Sequence, residues 1–437
     1  MSITSTWERI SPRMSDISVI GGGAAGMMAA VCAARLGARV TLFERNEKLG
    51  KKIYITGKGR CNVTNAADED AFLRNIMRNP RFCYAALSNL NSAGLMAFFE
   101  ERGVPLKVER GERVFPVSDH ASDITRALER ELARLNVAVR LNTRVRELML
   151  DESGAAAGLV TDRGQTYGAG AVIVATGGQS YPSTGSTGDG WAMAEATGHR
   201  TKPALPALTS IETEEDWPFA LSGLSLRNVA LSAYDAKGRR FYREQGELLM
   251  THFGVSGPLA LTLSSRLPED PAGVRLALDL KPALDEAALD RRLVRDLTEQ
   301  SRKRLATVMD GLEPHALGLS VLELARLSPE KPANALTQEE RRSIVRLLKA
   351  MPLTVKRLRG LEEAIVTRGG VAVADINPST MESKRVPGMY FAGETIDIDA
   401  LTGGFNLQLA FSTGALAGRS AAEAAMRNGE LEMGNGE

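Results

Sequence analysis

One glycine-rich turn near the start of the chain constrains its fold more than any other feature. Val19-Ile20-Gly21-Gly22-Gly23-Ala24-Ala25-Gly26 follows a β-like run (17–20) and opens a helix-like one (24–36). In such a turn the first glycine permits the reversal, Gly23 lets backbone approach a pyrophosphate, and Gly26 lets helix and strand pack closely. The helix N-terminus then offers unpaired N–H groups and a partial positive charge to that anion. A lone G-x-G-x-x-G is weak evidence, because plain loops also carry it. Here Glu44 ends the next strand-like run (40–44), 18 residues after Gly26, where a carboxylate can accept from both ribose hydroxyls. The spacing predicts a dinucleotide site, and the acid argues against a 2′-phosphate, leaving FAD or NAD rather than NADP.

The stretch 17–34 is long and uncharged enough to raise a signal-peptide or membrane reading. Its glycines and its strand-then-helix texture argue against both, and no second apolar run of that length follows. Residues 1–15 are polar and carry Pro12 and Met14, the pattern of a frayed tail or an upstream start. With 54 basic and 53 acidic side chains, the chain has no global drive toward nucleic acid or acidic lipid. Cys32, Cys61 and Cys83 are spaced too widely for a C-x-x-C pair or a zinc knuckle, and four His make a metal centre unexpected. A reducing cytoplasmic setting fits that cysteine usage.

Apolar runs rich in Val and Ile alternate with helical periods up to about residue 200, the pattern of a parallel sheet covered by helices. Helices are expected at 121–135 and a buried strand at 171–175. Alternating stretches such as 229–234 and 275–280 then predict an antiparallel sheet or small barrel. Helical periods follow at 289–309, 315–327 and 338–348. The α/β texture returns near the end, with a strand at 388–392 and a helix at 411–426. The expected architecture is α/β: a discontinuous Rossmann-like FAD-binding domain (1–203 and 370–437), a β-barrel-like insertion (204–282 and 351–369) and a helical cap (283–350).

Three further features select FAD over NAD. Val172-Ile-Val-Ala-Thr176-Gly177-Gly178 is a buried strand ending in Thr-Gly-Gly. Gly388-Met-Tyr-Phe-Ala-Gly393-Glu394 is a strand ending in glycine and a carboxylate, and Gly403-Gly404-Phe-Asn406-Leu407-Gln408 leads into a helix. An elongated flavin needs such a second site, with a carboxylate for ribitol hydroxyls and a helix N-terminus for the electron-rich ring edge.

With these motifs the chain resembles the YhiN/BaiN-type FAD-dependent oxidoreductases, which include aminoacetone-oxidase-like members, in the two-dinucleotide-domain flavoprotein superfamily. The most specific pieces are Gly50-Lys-Lys52-Ile-Tyr-Ile-Thr-Gly57-Lys-Gly59-Arg60-Cys61-Asn62-Val-Thr-Asn65, Gly246 through Thr251-His252 to Pro258, and Phe391 through Asp397 and Asp399 to Gln408. The resemblance implies that Gly21, Gly23, Ala25 and Gly26 line the pyrophosphate. It places Glu44 at the adenosine ribose, Val145 at the adenine and Glu394 at the ribitol, with Ala24, Arg45, Lys52, Gly393 and Gly404 also among the cofactor-binding residues. Thr176, Gly177 and Gly178 would face the cofactor, and Asn406, Leu407 and Gln408 would offer amides to the flavin ring.

The loop around Gly59, Arg60, Cys61 and Asn62 has a composition suited to flavin edges and phosphate. Cys61 reads either as a redox nucleophile or as a small residue beside the flavin. His252, in a Gly-flanked loop, and Tyr181 are the candidate catalytic donors; each also reads as a structural residue. Asp397 and Asp399 fit ribitol ligands or turn carboxylates equally.

The resemblance further implies an NAD(P)H-driven reductase of a conjugated C=C bond, in an enone or a uracil-type base, by hydride transfer through flavin N5. With a single glycine fingerprint in the chain, NAD(P)H would dock transiently. The alternatives are an aminoacetone-type oxidase releasing peroxide and an FAD-stabilised RNA-binding protein. Between residues 285 and 360, 15 Lys and Arg face 11 Asp and Glu, a local surplus that could meet RNA phosphates. Helices with solvated charged faces show the same surplus.

Overall fold

The computed structural model describes residues 16–434, so the polar segment 1–15 lies outside the described residues. The chain divides into two compact units, one from the described parts of Met1–Leu205 and Ile365–Glu437, the other Pro206–Ala364.

The first unit is built on five parallel strands, β1 (Asp16–Ile20), β2 (Arg39–Phe43), β3 (Ala138–Arg140), β4 (Ala171–Val174) and β5 (Met389–Phe391), in the order β5-β4-β1-β2-β3. β1, β4 and β5 are almost wholly buried, as parallel strands covered on both faces must be. Helix α1 (Ala24–Arg35) follows β1, and α2 (Phe405–Gly434) packs along it. A Cβ on Gly414 would lie 2.2 Å from the Ala25 carbonyl oxygen, and one on Gly418 2.1 Å from that of Ala29. This contact explains why residues 17–34 are so apolar: the strand is enclosed by the sheet and the helix is pressed under a second helix. Among the described residues no helix is long and apolar enough to cross a membrane.

The second unit is a closed six-stranded barrel in the order Ile211–Thr213, Gly254–Ser256, Arg240–Thr251, Ser225–Tyr234, Arg275–Asp279, Met351–Leu358. Leu248, Leu278 and Leu353 fill it, and the same apolar core continues through Leu289, Leu293, Ile344 and Leu348 of the helical segment. Barrel and helices therefore form one unit.

Three expectations are corrected. The single helix at 289–309 is broken into Glu286–Glu299 and Leu305–Met309. Between them Ser301 and Lys303 accept from Asn334 and Ala333, and Leu305 donates to Lys331, so distant backbone replaces the helical bonds. The C-terminal helix begins at Phe405 rather than 411. The insertion ends at Ala364, not 369, because Thr367 is held in the first unit by Glu394, Gln179 and Ser180.

Candidate functional site

The sheet order reverses direction at β1: the chain steps outward through β2 and β3, then returns on the other side as β4. Ligands of open α/β sheets bind at such a switch point, beyond the carboxyl ends of the strands. Gly21 leaves β1 with φ +105°, and a Cβ there would meet the Ala175 carbonyl oxygen at 2.4 Å. A Cβ on Gly26 would lie 1.8 Å from the Gly21 carbonyl oxygen, so helix and turn touch backbone to backbone. Gly23 is the opposite case, with nothing within 4 Å of its Cβ position. The protein's own packing does not require glycine there, and the turn is left open to the approach of a ligand. No side chain caps α1, so the free N–H groups of its first turn remain for that ligand.

Glu44, 7% exposed, sits at the end of β2. Its Oε2 accepts from the Gly22 N–H at 2.7 Å, and its Oε1 from the Asn46 N–H at 2.8 Å and Nδ2 at 2.7 Å. The carboxylate is fixed in place with lone pairs to spare.

A cleft partly open to solvent passes over this turn. On the β2 side it is lined by Glu44, Arg45 and Val145, in the middle by Gly21, Gly23, Ala24 and Ala25. On the β4–β5 side it is lined by Thr176, Gly177, Lys52, Gly393, Glu394, Asn406 and Leu407. There Glu394 Oε1 accepts from the Thr367 N–H at 2.6 Å and the Ser180 hydroxyl at 3.1 Å. Lys52 Nζ donates to Glu394 Oε2 at 2.6 Å and to Ser180 Oγ at 2.7 Å. The cation balances the acid, so this end of the cleft carries little net charge.

Several expected residues lie off the cleft. Gly26, Gly178 and Gly404 serve close packing, the last two against Thr367 and the Thr64 backbone. The Gln408 N–H is taken by the Gly404 carbonyl, and its buried side chain bonds Thr64, Leu90 and Ser412; it has no amide left for a flavin ring. The Asn406 side chain is likewise spent on Ala400 and Leu401, leaving its backbone N–H. Gly59, Arg60, Cys61 and Asn62 do not line the cleft. Arg60 is ion-paired with Glu109 and Asp119 and stacked 4.1 Å over Phe115. Cys61 is fully buried at φ +61°, and burial pushes its thiol up to about 12. Such a thiol is no redox nucleophile near neutral pH. Tyr181 is half-buried in the loop after Gly178, and His252 is exposed in the turn before Gly254 of the barrel, its ring against Phe253; neither is among the cleft's lining residues.

The structure adds residues that the sequence reading missed: Asn46, Thr143, Arg144, and the loop of Thr184, Gly185, Ser186 and Asp189. The Gly- and hydroxyl-rich run 183–189, directly downstream of Thr176-Gly-Gly, was the available signal. Burial raises the Asp189 pKa, but the Arg144 fork, the Thr187 hydroxyl and Arg45 outweigh it and hold the carboxyl low. Asp399 is different. It is 1% exposed, neither carboxylate oxygen has a hydrogen-bond partner, and burial raises it to about 6 against the pull of Arg78 and Arg368. Among the described residues no His, Cys, Asp and Glu cluster could hold a metal.

A glycine turn at the switch point of a parallel sheet, with a buried carboxylate closing the next strand, defines a Rossmann-type dinucleotide-binding protein. The HI0933-like protein Rossmann domain model matches residues 15–420. The chain belongs to that family, the flavoprotein oxidoreductase family to which its motifs point. It is similar to the 3-dehydro-bile acid delta(4,6)-reductase of Clostridium scindens, 32% identical over 94% of this chain and 100% of the relative. It is also similar to the ribosomal RNA dihydrouridine synthase of Escherichia coli, 30% identical over 91% and 96%. Among solved structures, a 3-ketosteroid-delta4-(5alpha)-dehydrogenase from Rhodococcus jostii RHA1 aligns over 97% of this chain and 98% of its own, with 16% identity and a TM-score of 0.51. That likeness is one of fold.

Proposed function

We propose that the cleft binds FAD and that the protein is an NAD(P)H-driven reductase of a C=C bond conjugated to a carbonyl. The observation that carries the cofactor assignment is the open position at Gly23, beside uncapped helix N–H groups and between two fixed carboxylates. The first turn of α1 would hold the pyrophosphate, Glu44 the adenosine ribose, and Glu394 the ribitol, with Lys52 offsetting its charge. The Asn406 and Leu407 N–H groups, at the start of α2, would meet the ring edge. FAD, when bound, supplies hydride chemistry at its ring N5. The chain must then orient the acceptor and place a donor on the carbonyl oxygen, where negative charge develops; Tyr181, in the loop after Gly178, is the candidate from this unit. The two curated relatives support this reaction class, since a delta(4,6)-reductase and a dihydrouridine synthase both saturate such a bond.

The dihydrouridine synthase also brings an RNA base into view as substrate. The basic surplus of 285–360 gives this version modest support, because Arg292, Arg304, Lys331 and Arg341 are paired with Asp296, Glu330, Glu340 and Asp290. Anaerobic mixing of the flavin-loaded protein with NADH and NADPH tests the reductase. Bleaching of the flavin band by at least one is expected; no bleaching by either would refute it. A salt-dependent gel shift with ribosomal RNA fragments distinguishes the RNA substrate from a small enone.

A further inference from the structure

The loop between β4 and the helix Asp189–Ala196 is tied at its base, where the Gly188 N–H donates to the Gly178 carbonyl at 3.1 Å. Such closed surface loops hold their own shape. This one also reaches away from β4. Asn46 Nδ2 donates to the Thr184 carbonyl at 3.0 Å, and Arg45 Nη1 donates to Thr187 Oγ1 at 2.5 Å and Asp189 Oδ2 at 3.2 Å. Arg144 grips both Asp189 oxygens, at 2.8 Å each. Arg45 and Asn46 follow β2, and Arg144 follows β3, whereas the loop follows β4. Because β1 lies between β4 and β2, these bonds carry the loop across the end of β1, where the glycine turn sits. Loop, clasp and glycine turn line the same cleft.

We propose that Asp189, gripped by Arg144 and Arg45, latches this loop over the adenosine half of the cleft and sets how slowly the cofactor leaves. The inference rests on the FAD reading and extends it from equilibrium binding to exchange. Asp189 is positioning rather than catalytic: its side chain is 15% exposed and its partners are two arginines and the Thr187 hydroxyl, not substrate atoms. A half-exposed Arg144 (48%) leaves the clasp open to screening by salt.

The test is the release of FAD from the loaded full-length protein into an excess of an apo-flavoprotein trap, followed by flavin fluorescence. Asp189→Asn is expected to release FAD about fivefold to tenfold faster than the parent, the range for partly exposed, bidentate ion pairs. Arg144→Gln should do the same, and carries the test if the Asp189 variant does not fold. The double variant should be no faster than the singles, since both remove one clasp. Raising salt should speed release from the parent and leave Asp189→Asn unchanged. Release within twofold of the parent rate from a variant that still binds one FAD would overturn the latch and leave the cofactor reading standing. A parent chain that takes up no FAD would overturn both.

Discussion

At the scale of single residues, Asp399 holds a buried carboxyl with no hydrogen-bond partner on either oxygen. A charge without a hydrogen bond in an apolar setting is destabilising by several kcal/mol, and the group responds by holding its proton to about pH 6. Its folded-state pKa is raised above the unfolded one, so its contribution is fully present below the unfolded value and is lost as pH rises through about 6. Arg78 and Arg368 oppose the shift, and Asp397 and Glu394 reinforce it. In the cofactor-free protein, Asp399→Asn should therefore gain on the parent by about 2 kcal/mol between about pH 4.5 and 7.5. Urea unfolding at both pH values measures this; parallel pH dependence of parent and variant would show that Asp399 ionises freely. Nothing in the sequence distinguished this aspartate from Asp397, because burial without a partner is a property of the packed neighbourhood.

At the scale of elements, the α1–α2 contact holds the nucleotide-binding helix in place. Gly414 and Gly418 are one helical turn apart on one face of α2 and lie on the Ala25 and Ala29 carbonyls. Gly418→Ala should push the helices apart and destabilise the protein by about 2–3 kcal/mol, even though alanine favours helix intrinsically. Thermal unfolding checks this, and an unchanged or raised Tm would mean that the contact is loose. What was legible in the sequence follows from locality. β1, α1 and β2 could be read because their periods and their glycine turn are written within thirty residues. The break after Glu299 could not, because the bonds that replace the helix come from residues 331–334. The early start of α2 was hidden for a related reason: Gln408 is polar yet wholly buried, satisfied by Thr64 and Leu90, and so it blurs the apolar period.

At the scale of the whole molecule, the chain leaves the Rossmann unit at Leu205 and re-enters at Ile365, and the cleft draws on both sides of that excursion. Lys52, Ser180, Thr367 and Glu394 form one hydrogen-bonded group although Lys52 and Glu394 are 342 residues apart. Motifs announced the glycine turn, Glu44 and Glu394. They could not announce Thr367, which matters only through what folding brings beside it. They also pointed to the loop 59–62, where Cys61 is buried and Arg60 belongs to an ion-pair cluster, and none of these residues lines the cleft.

If the cleft over the glycine turn is built for FAD, Gly23 gives the most direct test. Its Cβ position is empty of protein and its φ of −81° suits any residue. Gly23→Val should thus leave the unfolding midpoint of the cofactor-free protein nearly unchanged, within the ~1 kcal/mol that a poorer N-cap costs. The same substitution should abolish the flavin absorbance and the cofactor-induced rise in Tm that the parent is expected to show. A Gly23→Val protein that binds FAD as tightly as its parent would contradict the account.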